Sequence, residues 1–95
     1  MMLSKQREEI NKIDRQLVEL LERRMEVVTE VAEIKKKHQL AIFDSQREQA
    51  ILQKLSKKIT DSEKVSYILD SFQAIMDDSK NYQTYLIQKE DHSSE

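Results

Sequence analysis

Apolar residues recur along the first forty positions with the spacing of a helix. Leu3, Ile10, Leu17 and Val31 fall on a seven-residue period, and Ile13, Leu20, Val27 and Ile34 form a second row beside them. Two such rows make one continuous stripe, the face of a core-facing or coiled-coil helix. The pattern predicts a first helix over about 4–37, ~50 Å long at 1.5 Å per residue. Arg24 breaks the stripe, standing midway between Leu17 and Val31. A cation in that place either has a buried partner or receives an anion.

From His38 to Phe43 the period fails, which predicts a short loop with Ile42 and Phe43 turned inward. A second helix over about 45–59 follows, with Ile51, Leu52, Leu55 and Ile59 on one face. Ser45 with Glu48 three residues on fits a capping box, and Asp44 fits as a cap equally well. The run Thr60-Asp61-Ser62-Glu63 is the next start signal. It opens a third helix over about 62–87, whose stripe runs from Val65, Ile68 and Leu69 to Tyr82 and Leu86. Residues 88–95 are polar and aperiodic, the pattern of a frayed tail. With no internal repeat and no linker, residues 1–95 read as a single domain.

Composition strengthens the helical reading. Gly, Pro and Cys are all absent from the 95 residues, so strands and hairpins lack their usual punctuation. The fold class expected is all-α. Without cysteine there is no disulfide framework and no thiol chemistry. Charged residues make up 36% of the chain, but 16 Lys+Arg against 18 Asp+Glu leave a net charge of only -2. That balance argues against nucleic acid as a partner. The chain begins without the apolar run of a signal peptide and has no bilayer-spanning segment, so a cytoplasmic protein with no membrane partner is expected. A compact chain of this length has a radius of gyration of only ~12 Å. The first helix must project beyond such a core with its stripe uncovered, which predicts a homodimer.

More polar side chains interrupt inward faces. Lys35 continues the row of Leu21 and Val28, Ser79 follows Phe72 at the same spacing, and Gln83 lies one turn further. Arg24 and Lys35 share a helix face, with backbones ~16 Å apart. Singly, each has an ordinary explanation. Arginine in a stripe commonly pairs with a carboxylate of a neighbouring helix, and lysine near a helix C-terminus is solvated and favoured by the dipole. Serine and glutamine serve as packing compromises, and Asp44 and Glu48 serve as caps. Jointly they describe a small polar cavity for a compact dianion. No nucleophile–base pair is evident, since His38 lies at a helix end and His92 in the tail. There is no metal-ligand spacing and no Gly-rich phosphate loop. The expectation is chemistry with no metal and no cofactor.

The residues also resemble a known family. Arg7-Glu8-Glu9-Ile10-Asn11-Lys12-Ile13-Asp14, Leu20-Leu21-Glu22-Arg23-Arg24-Met25 and Val31-Ala32-Glu33-Ile34-Lys35 are similar to the first helix of the all-helical (type II) chorismate mutases. Phe43-Asp44-Ser45-Gln46-Arg47-Glu48-Gln49 resembles their second-helix entry, and Ile75 to Gln83 the end of their third helix. The loop residues Leu40-Ala41-Ile42 lack the proline often found there. The resemblance implies an intertwined homodimer of three-helix chains, rearranging chorismate to prephenate on the shikimate-pathway route to Phe and Tyr. It implies that Arg7 enters from the partner chain to bind the side-chain carboxylate. Arg24 and Ser79 would hold the ring carboxylate, with Arg47 nearby. Lys35 would contact a carboxylate and the ether oxygen, Gln83 would donate to that oxygen, and Glu48 with the Asp44 backbone would take the ring hydroxyl. Arg7 and Arg24 are ~25 Å apart along one helix, too far to share a small substrate within one chain. With no second domain in these residues, a stand-alone enzyme is expected.

Two rivals remain at this stage. An isochorismate pyruvate lyase of the same fold would share the cations, but would lack counterparts of Glu48 and Ser79. A catalytically silent helical dimer would pair its inward polar groups with one another and leave no cavity.

Overall fold

A computed structural model describes the backbone of residues 2–93 and the side chains of residues 2–89. Three helices form: α1 (Ser4–His38), α2 (Ser45–Lys58) and α3 (Val65–Ser93), the last entered through a single 3-10 turn at Ser62–Lys64. Among the described residues there is no strand.

Each boundary has a local cause. α1 ends where Gln39 adopts the left-handed conformation, φ 55° and ψ 41°. The Leu40 N–H then donates to the Lys35 carbonyl at 2.8 Å and the Gln39 N–H to the Lys36 carbonyl at 3.3 Å. This is the Schellman pair that closes a helix, here without the glycine that usually sits at its turning point. Asp44 caps α2, its Oδ1 accepting from the Arg47 N–H at 3.0 Å. Of the two caps the sequence offers, Asp44 is the one used. Glu48 then lies one position too far into the helix to reach back as a box partner, and its carboxylate faces α3 instead. Asp61 caps the 3-10 turn by accepting from the Glu63 N–H at 3.0 Å.

α3 continues through Ser93, past the end expected near Ile87. The apolar stripe stops there, but the backbone ladder needs only the absence of a breaker, and Gly and Pro are absent. The helical backbone of residues 88–93 therefore corrects that part of the expected frayed tail, whose last two residues lie outside the described ones. Phe43 is a second correction. Only Ile42 turns inward, while Phe43 stays 58% exposed, with one ring face under the Lys80 ammonium at 4.5 Å.

Both α1 and α2 pack on α3. α1 and α3 run the same way: Arg24 meets Ser79, and further along both helices Thr29 and Ala32 meet Leu86 and Ile87. α2 is the return stroke that lets two parallel helices lie side by side. The buried centre is thin, consisting of Val28, Ala32 and Met76 with the polar Ser79 and Gln83. α1 thus packs through the row beside its main stripe, and the stripe itself faces away from the chain. Leu3, Ile10, Ile13, Leu17, Leu20, Val27 and Ile34 are all about half exposed or more. The chain spans 57 × 29 × 15 Å with a radius of gyration of 17.1 Å, well above the ~12 Å of a compact domain.

Candidate active site

The parallel packing of α1 on α3, with the α2 entry laid across them, encloses one polar cavity of about 100 Å³. α1 contributes Arg24 and Lys35, which its periodicity places on one face. The cap and first turn of α2 contribute Asp44, Arg47 and Glu48, and α3 contributes Ser79 and Gln83. Seven of the eight residues expected at a site are therefore brought together. Arg7 is not among them, lying exposed near the start of α1, ~25 Å along the helix from Arg24.

Arg24 donates to the Ser79 hydroxyl, which in turn donates to the Ile75 carbonyl at 2.8 Å. Among the described residues the guanidinium has no carboxylate partner, so the ordinary explanation of a paired stripe arginine does not hold among them. Lys35 donates to the Ile42 carbonyl at 2.8 Å, tying the loop to the end of α1. Among the described residues that carbonyl is its one acceptor, and the other two donors of the ammonium are uncommitted there. Gln83 is 5% exposed, and its Oε1 has no hydrogen-bond partner. A buried amide left incomplete is costly unless something else completes it.

Sequence reasoning missed Lys80, which also lines the cavity, with Ile42, Ile51 and Met76 as its apolar walls. The signal was present: Met76, Ser79, Lys80 and Gln83 stand three, four and seven residues apart, one face of α3. Lys80 Nζ lies 2.9 Å from Glu48 Oε2 and 3.2 Å from Asp77 Oδ1. The hydrogen bond to Glu48 chiefly, with Asp77 adding, holds the Lys80 ammonium above its ordinary value of 10.5 against the opposing effect of desolvation. Gln73 chiefly, and then Lys80, hold the Asp77 carboxyl below its ordinary 3.8. The signs fix a window. Asp77's contribution is present above 3.8 and lost as pH falls through its depressed value, while that of Lys80 is present below 10.5 and lost as pH rises through its raised one.

A sequence profile of the chorismate mutase type II family matches residues 6–84. The chain belongs to that family. Its matched span begins just before Arg7 and ends just after Gln83, so it encloses all eight expected site residues and Lys80. Among curated proteins, this family member is 40% identical over 86 residues to a bifunctional chorismate mutase/prephenate dehydratase of Buchnera aphidicola subsp. Acyrthosiphon pisum. The counterpart from subsp. Schizaphis graminum is 38% identical over 86 residues; each match covers 87% of this chain and 22% of the relative. A T-protein of Haemophilus influenzae is 43% identical over 47 residues, 50% of this chain and 12% of the relative. The chain thus spans about a fifth of the length of the bifunctional relatives it matches. No solved structure gives a significant match. Among the described residues, no helix is long and apolar enough to cross a membrane.

Proposed function

We propose that this domain is a chorismate mutase, converting chorismate to prephenate for Phe and Tyr synthesis. The observation that carries this reading is the convergence of Arg24, Lys35 and Arg47 on one cavity without a carboxylate partner among the described residues, beside the buried Gln83 side chain. Such a site is charged for a small dianion and carries donors for an oxygen between its two ends. The rearrangement breaks one ether C–O bond and forms one C–C bond within a single molecule, exchanging no proton and no electron. It needs no nucleophile. What it needs is a substrate held in the chair-like, near-attack shape and donors aimed where negative charge grows on the ether oxygen.

Each side chain then has a task. Arg24 and Ser79 hold the ring carboxylate, with Arg47 nearby, and Lys35 spans a carboxylate and the ether oxygen. The Gln83 amide presents its N–H to that oxygen. Glu48 and the Asp44 backbone accept from the ring hydroxyl. The remaining carboxylate is met by Arg7 of a second copy, in an intertwined homodimer with two shared sites. The surface supports that assembly. The chain exposes 8206 Å², against about 5,700 Å² for a compact monomer of its mass. The surplus of about 2,500 Å² per chain is of the size that permanent dimers bury.

A silent dimerisation module would pair its inward groups and close the cavity. Arg24 with Ser79 and Glu48 with Lys80 go part of that way, yet the cavity stays open and Gln83 incomplete. The test is direct: incubate the purified protein with chorismate and follow the loss of its ultraviolet absorbance. Decay well above the uncatalysed rate, giving prephenate, is expected. Decay no faster than in buffer overturns the proposal, and pyruvate release from isochorismate in its place identifies the lyase.

A further inference from the structure

The cavity cations are not alike. Among the described residues, Arg24 is bonded to a hydroxyl and Lys35 to a carbonyl, and the Arg47 side chain has no acceptor. Lys80 is enclosed. Its ammonium touches Glu48 at 2.9 Å and Asp77 at 3.2 Å, and sits 4.5 Å from the centroid of the Phe43 ring. An ammonium has three N–H bonds. Two carboxylates and an aromatic face hold it on three sides, so its ammonium is committed within the chain even though the side chain lines the cavity.

The grip on Glu48 is double. Gln73 Nε2 donates to Glu48 Oε1 at 3.3 Å and to Asp77 Oδ1 at 3.1 Å, the same Asp77 oxygen that meets Lys80. Gln73, Asp77 and Lys80 are four and three residues apart and share one face of α3. Asp77 therefore ties together the two donors that hold the two oxygens of Glu48. Each carboxylate oxygen has two lone pairs, so each keeps acceptor capacity for the cavity that Glu48 lines. Neither Gln73 nor Asp77 lines the cavity, which makes them support and not contact.

We propose that Lys80, braced by Asp77 and Phe43 and paired with Gln73, is a positioning residue that aims the Glu48 carboxylate at the substrate hydroxyl. The inference rests on the chorismate reading above and adds a group that acts through Glu48. Hydrogen-bond partners that orient metal-binding side chains typically change activity roughly ten- to hundredfold when removed, and the same scale is expected for a group that orients Glu48.

Two double-mutant cycles on the full chain test it, both built from Lys80→Met and Glu48→Gln. The first reads stability by urea unfolding at one fixed protein concentration. The double variant is expected to lose less than the sum of the single losses, because each single change already breaks the same pair. Additive losses mean that Lys80 does not hold Glu48, and overturn the proposal. The second cycle reads kcat/KM with chorismate. Lys80→Met is expected to lose roughly tenfold or more in the native background and almost nothing in the Glu48→Gln background. Lys80→Arg should keep most of the activity, and Gln73→Leu, which leaves the cavity lining intact, should lose some of it. An equal loss from Lys80→Met in both backgrounds shows that Lys80 meets substrate directly and overturns the positioning role. A native protein inactive toward chorismate sinks the proposed reaction and the aiming role with it, while the stability cycle still reports whether the grip on Glu48 exists.

Discussion

Val27 and Val28 are neighbours in sequence and opposites in environment, 56% and 8% exposed. Val28, with Ala32, packs on α3 and builds one wall of the chain's own core. Val27 belongs to the stripe that runs from Leu3 to Ile34 and touches nothing in the chain comparable to what its size demands. The same helix thus carries two apolar faces, one covered by its own chain and one left exposed in it. A monomeric soluble protein seldom exposes so long an apolar surface. Arg24 lies where the two regimes meet, at the first half-buried position of a helix whose residues up to Arg23 are all exposed. The site therefore lies at the boundary between the part of α1 that the chain covers and the part that it leaves exposed.

The most forceful way to break this comparison is a charge in the outward stripe. Leu20→Glu, at a position 57% exposed in the single chain, is expected to cost at least about 3 kcal/mol per chain by the loss of a buried leucine and the burial of a carboxylate. Helicity measured at micromolar concentration should collapse, and the native melting temperature should rise with protein concentration. If Leu20→Glu melts as the native chain does, and neither shows concentration dependence, the stripe is an ordinary surface and no partner covers it.

Next in size is the division of the site between chains. Arg24→Ala should lose roughly a hundredfold or more in turnover, with little change in stability, because Ser79 keeps its bond to the Ile75 carbonyl. Arg7→Ala should lose activity similarly. Co-refolding equal amounts of the two makes about half the dimers mixed, and one site of each mixed dimer receives an intact Arg7 and an intact Arg24. About a quarter of all sites should then recover native turnover. No recovery, with mixed dimers seen by mass spectrometry, rules out an arginine supplied by the partner.

These contrasts show what was legible in the sequence. Period and caps are local, so the three helices and the use of Asp44 or Ser45 as a start could be read directly. The pairing of Arg24 with Lys35 on one face was readable for the same reason. The identity of the core was not. The seven-residue stripe is the strongest apolar signal in the chain, yet Val28 and Ala32 beside it make the intrachain contact, because a period marks a face without saying what covers it. Lys80 was missed because its partners Glu48 and Phe43 come from α2 and the loop before it, and a lone lysine on a helix reads as solvated. Glu48 was ambiguous between cap and site; the use of Asp44 as the cap removes the first role, and the partners that α3 brings to its carboxylate come from too far along the chain to be read locally.

A smaller and sharper test uses the two valines as each other's control. Val28→Ala removes two methyl groups from the chain's own core and should cost about 1–2 kcal/mol. Val27→Ala removes the same atoms from a position exposed in the single chain, where a change within about 0.5 kcal/mol is the norm. If a second copy covers the stripe, Val27→Ala should cost nearly as much as Val28→Ala in unfolding experiments at a fixed protein concentration. A neutral Val27→Ala beside a costly Val28→Ala would separate the two faces and return the stripe to solvent.

The smallest expected effect lies at the far end of α1, where the helix must stop for Lys35 to reach the loop. Gln39 turns the chain with φ 55°, a region in which a Cβ crowds the backbone and which costs a residue other than glycine or asparagine about 1 kcal/mol or more. Glycine removes that crowding but gives the unfolded chain more freedom, which returns part of the gain. Gln39→Gly should therefore stabilise the protein by about 0.5 kcal/mol, visible as a small rise in the urea midpoint with an unchanged slope. The side chain is exposed and lines no part of the cavity, so turnover should stay as it is. Gln39→Val should act the other way and more strongly, since a β-branched residue tolerates this conformation least. If its extra strain loosens the turn, the bond from Lys35 to the Ile42 carbonyl loosens with it, and activity should fall along with stability. Should both substitutions leave the midpoint unmoved, the left-handed closure of α1 is not what fixes the loop over the site.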